Sequence, residues 1–261
     1  KTLYRVRGAK ARIQAMKDTS RILDLKYKLQ TIELLNLAKE QYTYRELSGI
    51  LHLPETVLSR YVKGHVLPTA ERAEEINRTL QKYMSLEKEL HERIKFDDLG
   101  YFDNTGIIND TMLLERAVQQ AVGKFAGKRV NKVMTAAVDG VPLATLLAHR
   151  LGTRLIVAKQ SREVGVREFI EEFYVPPKTA IMKSLYVSKD AFKKGEGVLI
   201  ADDIIDSGET QRAMMKVILK ARAEVIGIYA LVAIGNEWKS RIESVGNVPV
   251  EIGLSLVKMV A

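Results

Sequence analysis

Val198-Leu199-Ile200-Ala201-Asp202-Asp203-Ile204-Ile205-Asp206-Ser207-Gly208-Glu209-Thr210 decides the reading of this 261-residue chain. Four consecutive apolar residues predict a buried strand. Two adjacent carboxylates emerge at its end, where burial is costly unless they meet hydroxyls, a metal or cationic groups. Asp206 to Thr210 then turns into a helix. Its free backbone N–H groups and the hydroxyls of Ser207 and Thr210 suit a phosphate at the helix N-terminus. Carboxylates on ribose hydroxyls and a turn on the 5′-phosphate together make a phosphosugar site. The bland alternative is an incidental strand–turn–helix with an acidic mouth.

Working outward, the same alternation of strands and helices fills the last two thirds of the chain. A helix is expected from Asp110, its cap, to Phe125, then a strand over Val130–Val138. Helix Pro142–Leu151 and strand Arg154–Lys159 follow. Beyond the gap come strand Val198–Ala201, helix Gly208–Arg222, strand Glu224–Ile234 and an apolar stretch, Pro249–Val257. Such alternation implies an α/β domain with a mainly parallel, doubly wound sheet, which binds ligands at the C-terminal ends of its strands. Ala137-Val138-Asp139-Gly140-Val141-Pro142-Leu143 is a second strand-to-helix loop, with a glycine that lets backbone amides approach a ligand. Histidines 52, 65, 91 and 149 show no paired spacing for a metal.

The thirteen-residue run resembles the phosphoribosyl-pyrophosphate (PRPP) signature of the type I phosphoribosyltransferases, and the C-terminal part resembles the orotate/purine phosphoribosyltransferase family. That resemblance implies that Asp202 and Asp203 contact the ribose hydroxyls. It also implies that Asp206, Ser207, Gly208, Glu209 and Thr210 cradle the 5′-phosphate, with Asp206 the candidate catalytic residue. Val138, Asp139 and Gly140 would form the pyrophosphate loop. Lys159 would meet the pyrophosphate, or else be a solvated surface lysine. Mg2+ would bridge pyrophosphate oxygens and reach Asp202 and Asp203 mainly through the ligand. Residues 160–186 correspond to the family's mobile flap. Arg162, Arg167 and Lys178 are its cations, Glu168 and Glu171-Glu172 have no assigned role, and its aromatics and Pro176-Pro177 suggest an ordered hairpin packed on another surface or on a partner subunit.

The first third reads differently. Lys1 to Lys95 carries 19 basic and 12 acidic residues, so +7 of the chain's formal +9 lies there. Such asymmetry is expected of a nucleic-acid-binding segment, or of a merely solvated basic surface. Ile32, Leu34, Leu35, Leu37 and Ala38 make one helical stripe. Thr43-Tyr44-Arg45-Glu46 is a capping box opening a helix whose inward face is Leu47, Ile50 and Leu51. Pro54 ends the turn that follows, and Glu55 to about Val62 forms a second helix burying Val57, Leu58 and Tyr61, closed near Gly64. Two short helices joined by a tight turn predict a helix-turn-helix over about 43–63. Thr56, Ser59, Arg60 and Lys63 then face outward, suited to base edges and phosphates of double-stranded DNA. This stretch resembles the helix-turn-helix of phage and bacterial repressors; a helical bundle that only packs or dimerises is the alternative. The opening 28 residues, with nine Lys or Arg and two acids, fit an arm along DNA or a dimerising helix equally.

Thr79 to Arg93 reads as one charged connecting helix with Leu80, Met84, Leu86 and Leu90 near heptad spacing. The Asp, Asn and Gly cluster after it sets a boundary near Phe96. The expected organisation is therefore a helical DNA-binding domain, 1–95, and a phosphoribosyltransferase-like domain, 96–261. Hydrophobic content of 46% with 28% charge is an ordinary globular balance, and cysteine is absent, which excludes disulfides and thiol chemistry. No apolar run reaches the ~18 residues of a membrane span, so a cytoplasmic protein without membrane contact is expected.

The whole resembles archaeal transcription regulators that fuse an N-terminal helix-turn-helix to a type I phosphoribosyltransferase domain. The resemblance implies an operator-binding homodimer or dimer of dimers that senses PRPP or a nucleotide. The other reading is a working enzyme making a nucleoside monophosphate from PRPP and a nucleobase.

Overall fold

A computed structural model describes residues 21, 24–25, 27–97, 102–176 and 181–257. The chain divides into two compact units between Ser85 and Leu86, ten residues before the boundary expected from the sequence. Most of the basic N-terminal arm and Lys178 lie outside the described residues.

The first unit is helical: residues 27–41 (α1), Tyr44–Leu51 (α2), Glu55–Val62 (α3) and Ala70–Tyr83 (α4). Both halves of the Thr43/Glu46 capping box form at the start of α2. α3 starts after Pro54 and ends in a Schellman closure, with Gly64 at φ +68° and the His65 N–H donating to the Arg60 carbonyl at 2.9 Å. Leu35, Leu47, Leu58, Ile76 and Leu80 meet in one core. Within it, Asn77 Nδ2 donates to the buried Thr31 Oγ1 at 2.6 Å and ties α4 to α1.

The single connecting helix expected over Thr79–Arg93 is two helices. α4 ends at Tyr83, Met84 leaves helical geometry, and Leu86–Arg93 (α5) begins anew. The heptad-like apolar residues serve different cores: Leu80 and Met84 pack in the first unit, Leu86 and Leu90 in the second. Beyond the one-turn helix Thr105–Ile108 (α6), Arg116 of Thr111–Lys124 (α7) pairs with Glu89 of α5 in a nearly buried contact. Arg93 joins Glu89 to Asp110, the residue that caps α7 through the Met112 and Leu113 N–H groups.

The second unit holds a five-stranded sheet in the order β4-β3-β7-β8-β9, made of Lys132–Ala136 (β3), Arg154–Ala158 (β4), Gly197–Ile205 (β7), Glu224–Ile234 (β8) and Val250–Leu256 (β9). Every neighbouring pair is parallel. Two short hairpins accompany it: Lys95–Phe96 (β1) with Phe102–Asp103 (β2), and Phe169–Tyr174 (β5) with Lys183–Ser188 (β6).

The strand pleat divides the core. Leu199, Ala201, Tyr229 and Leu231 face α5, α7 and Val141–Leu151 (α8). Val198, Ile200, Ile228 and Ala230 face Glu209–Lys220 (α9), Glu237–Glu243 (α10) and the β5–β6 hairpin.

Two expectations change. β7 runs nine residues rather than four, and Asp202, paired with Ala230 of β8, lies inside the strand instead of beyond its end. β3 is shorter than read, because Ala137–Gly140 already belongs to the turn into α8. The flap region does form a hairpin, and it packs on α9 of its own chain. Glu172, 8% exposed, is held there by Lys216 and Lys220 at 3.1 and 2.6 Å.

Candidate phosphosugar site

Because β3, β4 and β7 are parallel neighbours, the segments leaving their C-terminal ends lie side by side. Asp202 and Asp203 sit in the middle of this edge, 5% and 7% exposed. Gln211 Nε2 donates to Asp202 Oδ2 at 2.7 Å, and Asn104 Nδ2 donates to Asp203 Oδ2 at 2.7 Å. Burial pushes the Asp202 carboxyl well above the usual carboxylate range, and the neighbouring Asp203 charge adds to the shift. Asp203 is also raised, first by burial; the Asn104 hydrogen bond opposes this and the Asp139 carboxylate reinforces it. A pair so desolvated awaits hydroxyls or a cation.

Gly140 brings the second loop onto that pair. A Cβ there would stand 2.3 Å from Thr135 Oγ1 and 2.5 Å from Asp202 Oδ1, so the backbone occupies space that no side chain can share. Asp139 faces Asp203 electrostatically, and Val138, joined to Ala137 by a cis peptide, is 75% exposed.

The turn after β7 is equally constrained. Gly208 has φ +80°, and an added Cβ would meet Trp238 at 2.9 Å. Its conformation aims the first turn of α9 past Ser207 and Thr210, where the N–H groups of a helix N-terminus lack intrahelical acceptors. Ser207 Oγ accepts the Glu209 N–H at 3.3 Å, and Arg241 Nη1 donates to the Ser207 carbonyl at 2.7 Å. Glu209 points away into Arg212 and Arg241, at 3.0 and 3.3 Å. Asp206 and Thr210 are half-buried on the same turn. The Tyr174 hydroxyl meets the Thr210 side chain, and burial followed by the Asp202 charge raises its pKa.

The structure thus brings together Asp202, Asp203, Asp139, Gly140 and the Asp206–Thr210 turn. Lys159 bridges through its backbone to Tyr186 of β6, and its part-exposed ammonium pairs with Glu163. Arg162 pairs with Glu171 at 2.9 Å and lies over the Phe169 and Tyr186 rings. Glu168 pairs with Lys189 at 2.6 Å. The flap carboxylates thus each pair with a cation, Glu172 with those of α9, and Arg167 is exposed.

Sequence reasoning missed Asn104, Gln211, Tyr174 and Arg241. Only Gln211 leaves a local signal, as a polar residue on the apolar face of α9, where it is 2% exposed. Among the described residues no cluster of three or more His, Cys, Asp or Glu side chains is arranged to hold a metal. The two or three carboxylates here fit Mg2+ only when ligand oxygens complete its shell.

In the first unit, Thr56, Arg60 and Lys63 are exposed along α3, Ser59 is half-buried, and Leu58 turns inward.

Residues 105–252, more than half of the chain, match the phosphoribosyl transferase domain family. The chain belongs to that family. It is 27% identical over 124 residues to an adenine phosphoribosyltransferase of Pelobacter propionicus, a match covering 48% of this chain and 70% of the relative. It is 28% identical over 133 residues to the purine biosynthesis transcriptional repressor PurR of Bacillus subtilis, covering 51% of this chain and 47% of the repressor. Among solved structures, the adenine phosphoribosyltransferase of Rhodothermus marinus superposes with a TM-score of 0.58 at 24% identity, over 66% of this chain and 98% of that one. That likeness establishes the fold of the phosphoribosyl transferase unit. No helix among the described residues is long and apolar enough to cross a membrane.

Proposed function

We propose that this protein is a cytoplasmic DNA-binding transcription regulator whose phosphoribosyl transferase domain senses PRPP or a related phosphorylated ribose. The observation carrying this reading is the presence, in one chain, of a buried acid pair beside a glycine-shaped turn and a separate helical unit with Thr56 and Arg60 exposed on α3 and Lys63 exposed at its C-cap, in a first third that carries most of the chain's positive charge. In the ligand site, Asp202 and Asp203 accept the ribose hydroxyls, the Asp206–Thr210 turn holds the 5′-phosphate by its amides and hydroxyls, and the Val138–Gly140 loop takes the pyrophosphate. Mg2+, held mainly by the ligand's oxygens beside Asp202 and Asp203, would supply the charge that lets pyrophosphate approach these carboxylates.

In the helical unit, α2 and α3 act as a helix-turn-helix. Thr56, Ser59, Arg60 and Lys63 meet the major groove and its flanking phosphates. A homodimer or dimer of dimers sets two such helices about one DNA turn apart, and the bound sugar shifts the balance between DNA-binding and non-binding states. Similarity to the Bacillus subtilis purine repressor supports regulation.

A second reading, favoured by similarity to adenine and xanthine phosphoribosyltransferases, is an enzyme forming a nucleoside monophosphate from PRPP and a purine. One pair of assays separates them. Selection from a random duplex library, repeated with and without PRPP, is expected to yield an operator whose affinity PRPP changes several-fold. Nucleotide synthesis at ordinary enzyme rates without DNA affinity would favour the enzyme instead.

A further inference from the structure

The acid pair is held by two neutral carboxamides from opposite directions in the sequence. Gln211 grips Asp202 from the first turns of α9, next to the phosphate turn. Asn104 grips Asp203 from 99 residues away, at the end of β2. An amide donor fixes a carboxylate's rotamer without neutralising it, and the oxygen it binds keeps a second lone pair for a hydroxyl. A lysine or arginine in the same place would instead satisfy the charge and compete with what the pair is to bind.

Asn104 is itself held rigidly. Its carbonyl accepts the Ile107 and Ile108 N–H groups at 2.9 and 3.0 Å, and Ile107 is buried in the core beneath α5 and α7. On its other side, β2 pairs with β1, and Phe96 and Phe102 meet edge to face at 5.8 Å. Backbone anchored on both flanks and side chain on Asp203 make a strut between the lead-in segment of the domain and the sugar site.

We infer that Asn104 is a positioning residue that sets the site's preference for ribose over 2-deoxyribose by fixing the Asp203 carboxylate against the sugar hydroxyls. The inference rests on the proposed reading of Asp202 and Asp203 as the ribose contacts. Losing the strut lets Asp203 turn away, and the hydroxyl it accepts loses its partner. The 5′-phosphate grip, built on the turn after β7, is untouched. The two halves of a sugar phosphate thus report on different residues.

The test is calorimetric titration of the full chain with ribose 5-phosphate and with 2-deoxyribose 5-phosphate, in the wild type and in Asn104→Ala and Asn104→Leu. The leucine is of similar shape and has neither a donor nor a charge, whereas an aspartate would compete with Asp203 for a proton. The wild type is expected to prefer ribose 5-phosphate by about tenfold or more, as for one charge-assisted hydrogen bond. Both variants are expected to lose most of that preference through weaker ribose binding, while 2-deoxyribose 5-phosphate binds within about twofold of wild type, because its phosphate contacts persist. Equal weakening toward both sugars would mark Asn104 as merely structural and overturn the inference. So would an intact preference in either variant, or a wild type indifferent to the hydroxyl. A wild type that binds neither compound would overturn the sugar site itself.

Discussion

Asp202 shows how much the site costs the fold. Its carboxyl titrates well above the ordinary range of about 4 because burial disfavours the charged form. A carboxylate whose pKa is raised on folding leaves the native state holding more protons than the unfolded chain between the ordinary and the raised value. Stability therefore falls as pH rises through that window and stays low above it. Asp202→Asn, which can keep its contact with Gln211, is expected to raise the melting temperature at neutral pH. The gain should shrink as pH falls toward about 4, and melting curves across pH will read it. A variant that is more stable yet blind to PRPP is the trade expected of a functional residue. Gly140→Ala works the other way. Its Cβ meets Thr135 Oγ1 and Asp202 Oδ1 head-on, so a loss of about 1–3 kcal/mol in denaturant titrations should accompany loss of ligand binding.

At the scale of elements, the β5–β6 hairpin depends on Glu172, whose burial is compensated by Lys216 and Lys220 of α9. Glu172→Ala is expected to speed amide exchange in β5 and β6 well beyond that in β7 and β8, as measured by hydrogen exchange. α5 depends similarly on Arg116. Removing it takes from Glu89 its nearly buried partner, so Arg116→Ala is expected to cost about 3 kcal/mol, at the low end for a broken buried pair.

The central strands were legible because continuous apolar runs bounded by turns announce strands buried on both faces. β8 runs over the residues expected, and β7 was underread only because two acids look like a strand's end. The turn after β7 was equally readable, since Gly208 and its hydroxyl neighbours are contiguous. Asn104 was not: its partner lies 99 residues on, and an Asp-Asn-Thr-Gly run signals only a turn. The partners of Lys159 were hidden for the same reason, because Glu163 and the Tyr186 bridge are tertiary choices. The break at Ser85 was hidden by apolar spacing that happens to continue across it, though the residues serve two cores.

At the scale of the whole molecule, a formally basic first third and a nearly balanced remainder accord with the proposed division between reading DNA and holding a small anion. Arg60→Ala is expected to weaken specific operator binding by about 1–3 kcal/mol if it contacts a base. If it contacts only phosphate, affinity should fall uniformly across sequences, with a salt slope shallower by about one. Anisotropy titrations at several salt concentrations distinguish these outcomes, and neither should alter PRPP affinity. Calorimetric titration of PRPP with Mg2+ into the wild type and into the Asp202→Asn, Asp203→Asn double variant addresses the acid pair and its turn directly. Saturable one-to-one binding by the wild type, abolished in a double variant that still folds, is the expected result. Undiminished PRPP binding by that variant would contradict a sugar site built on these two carboxylates.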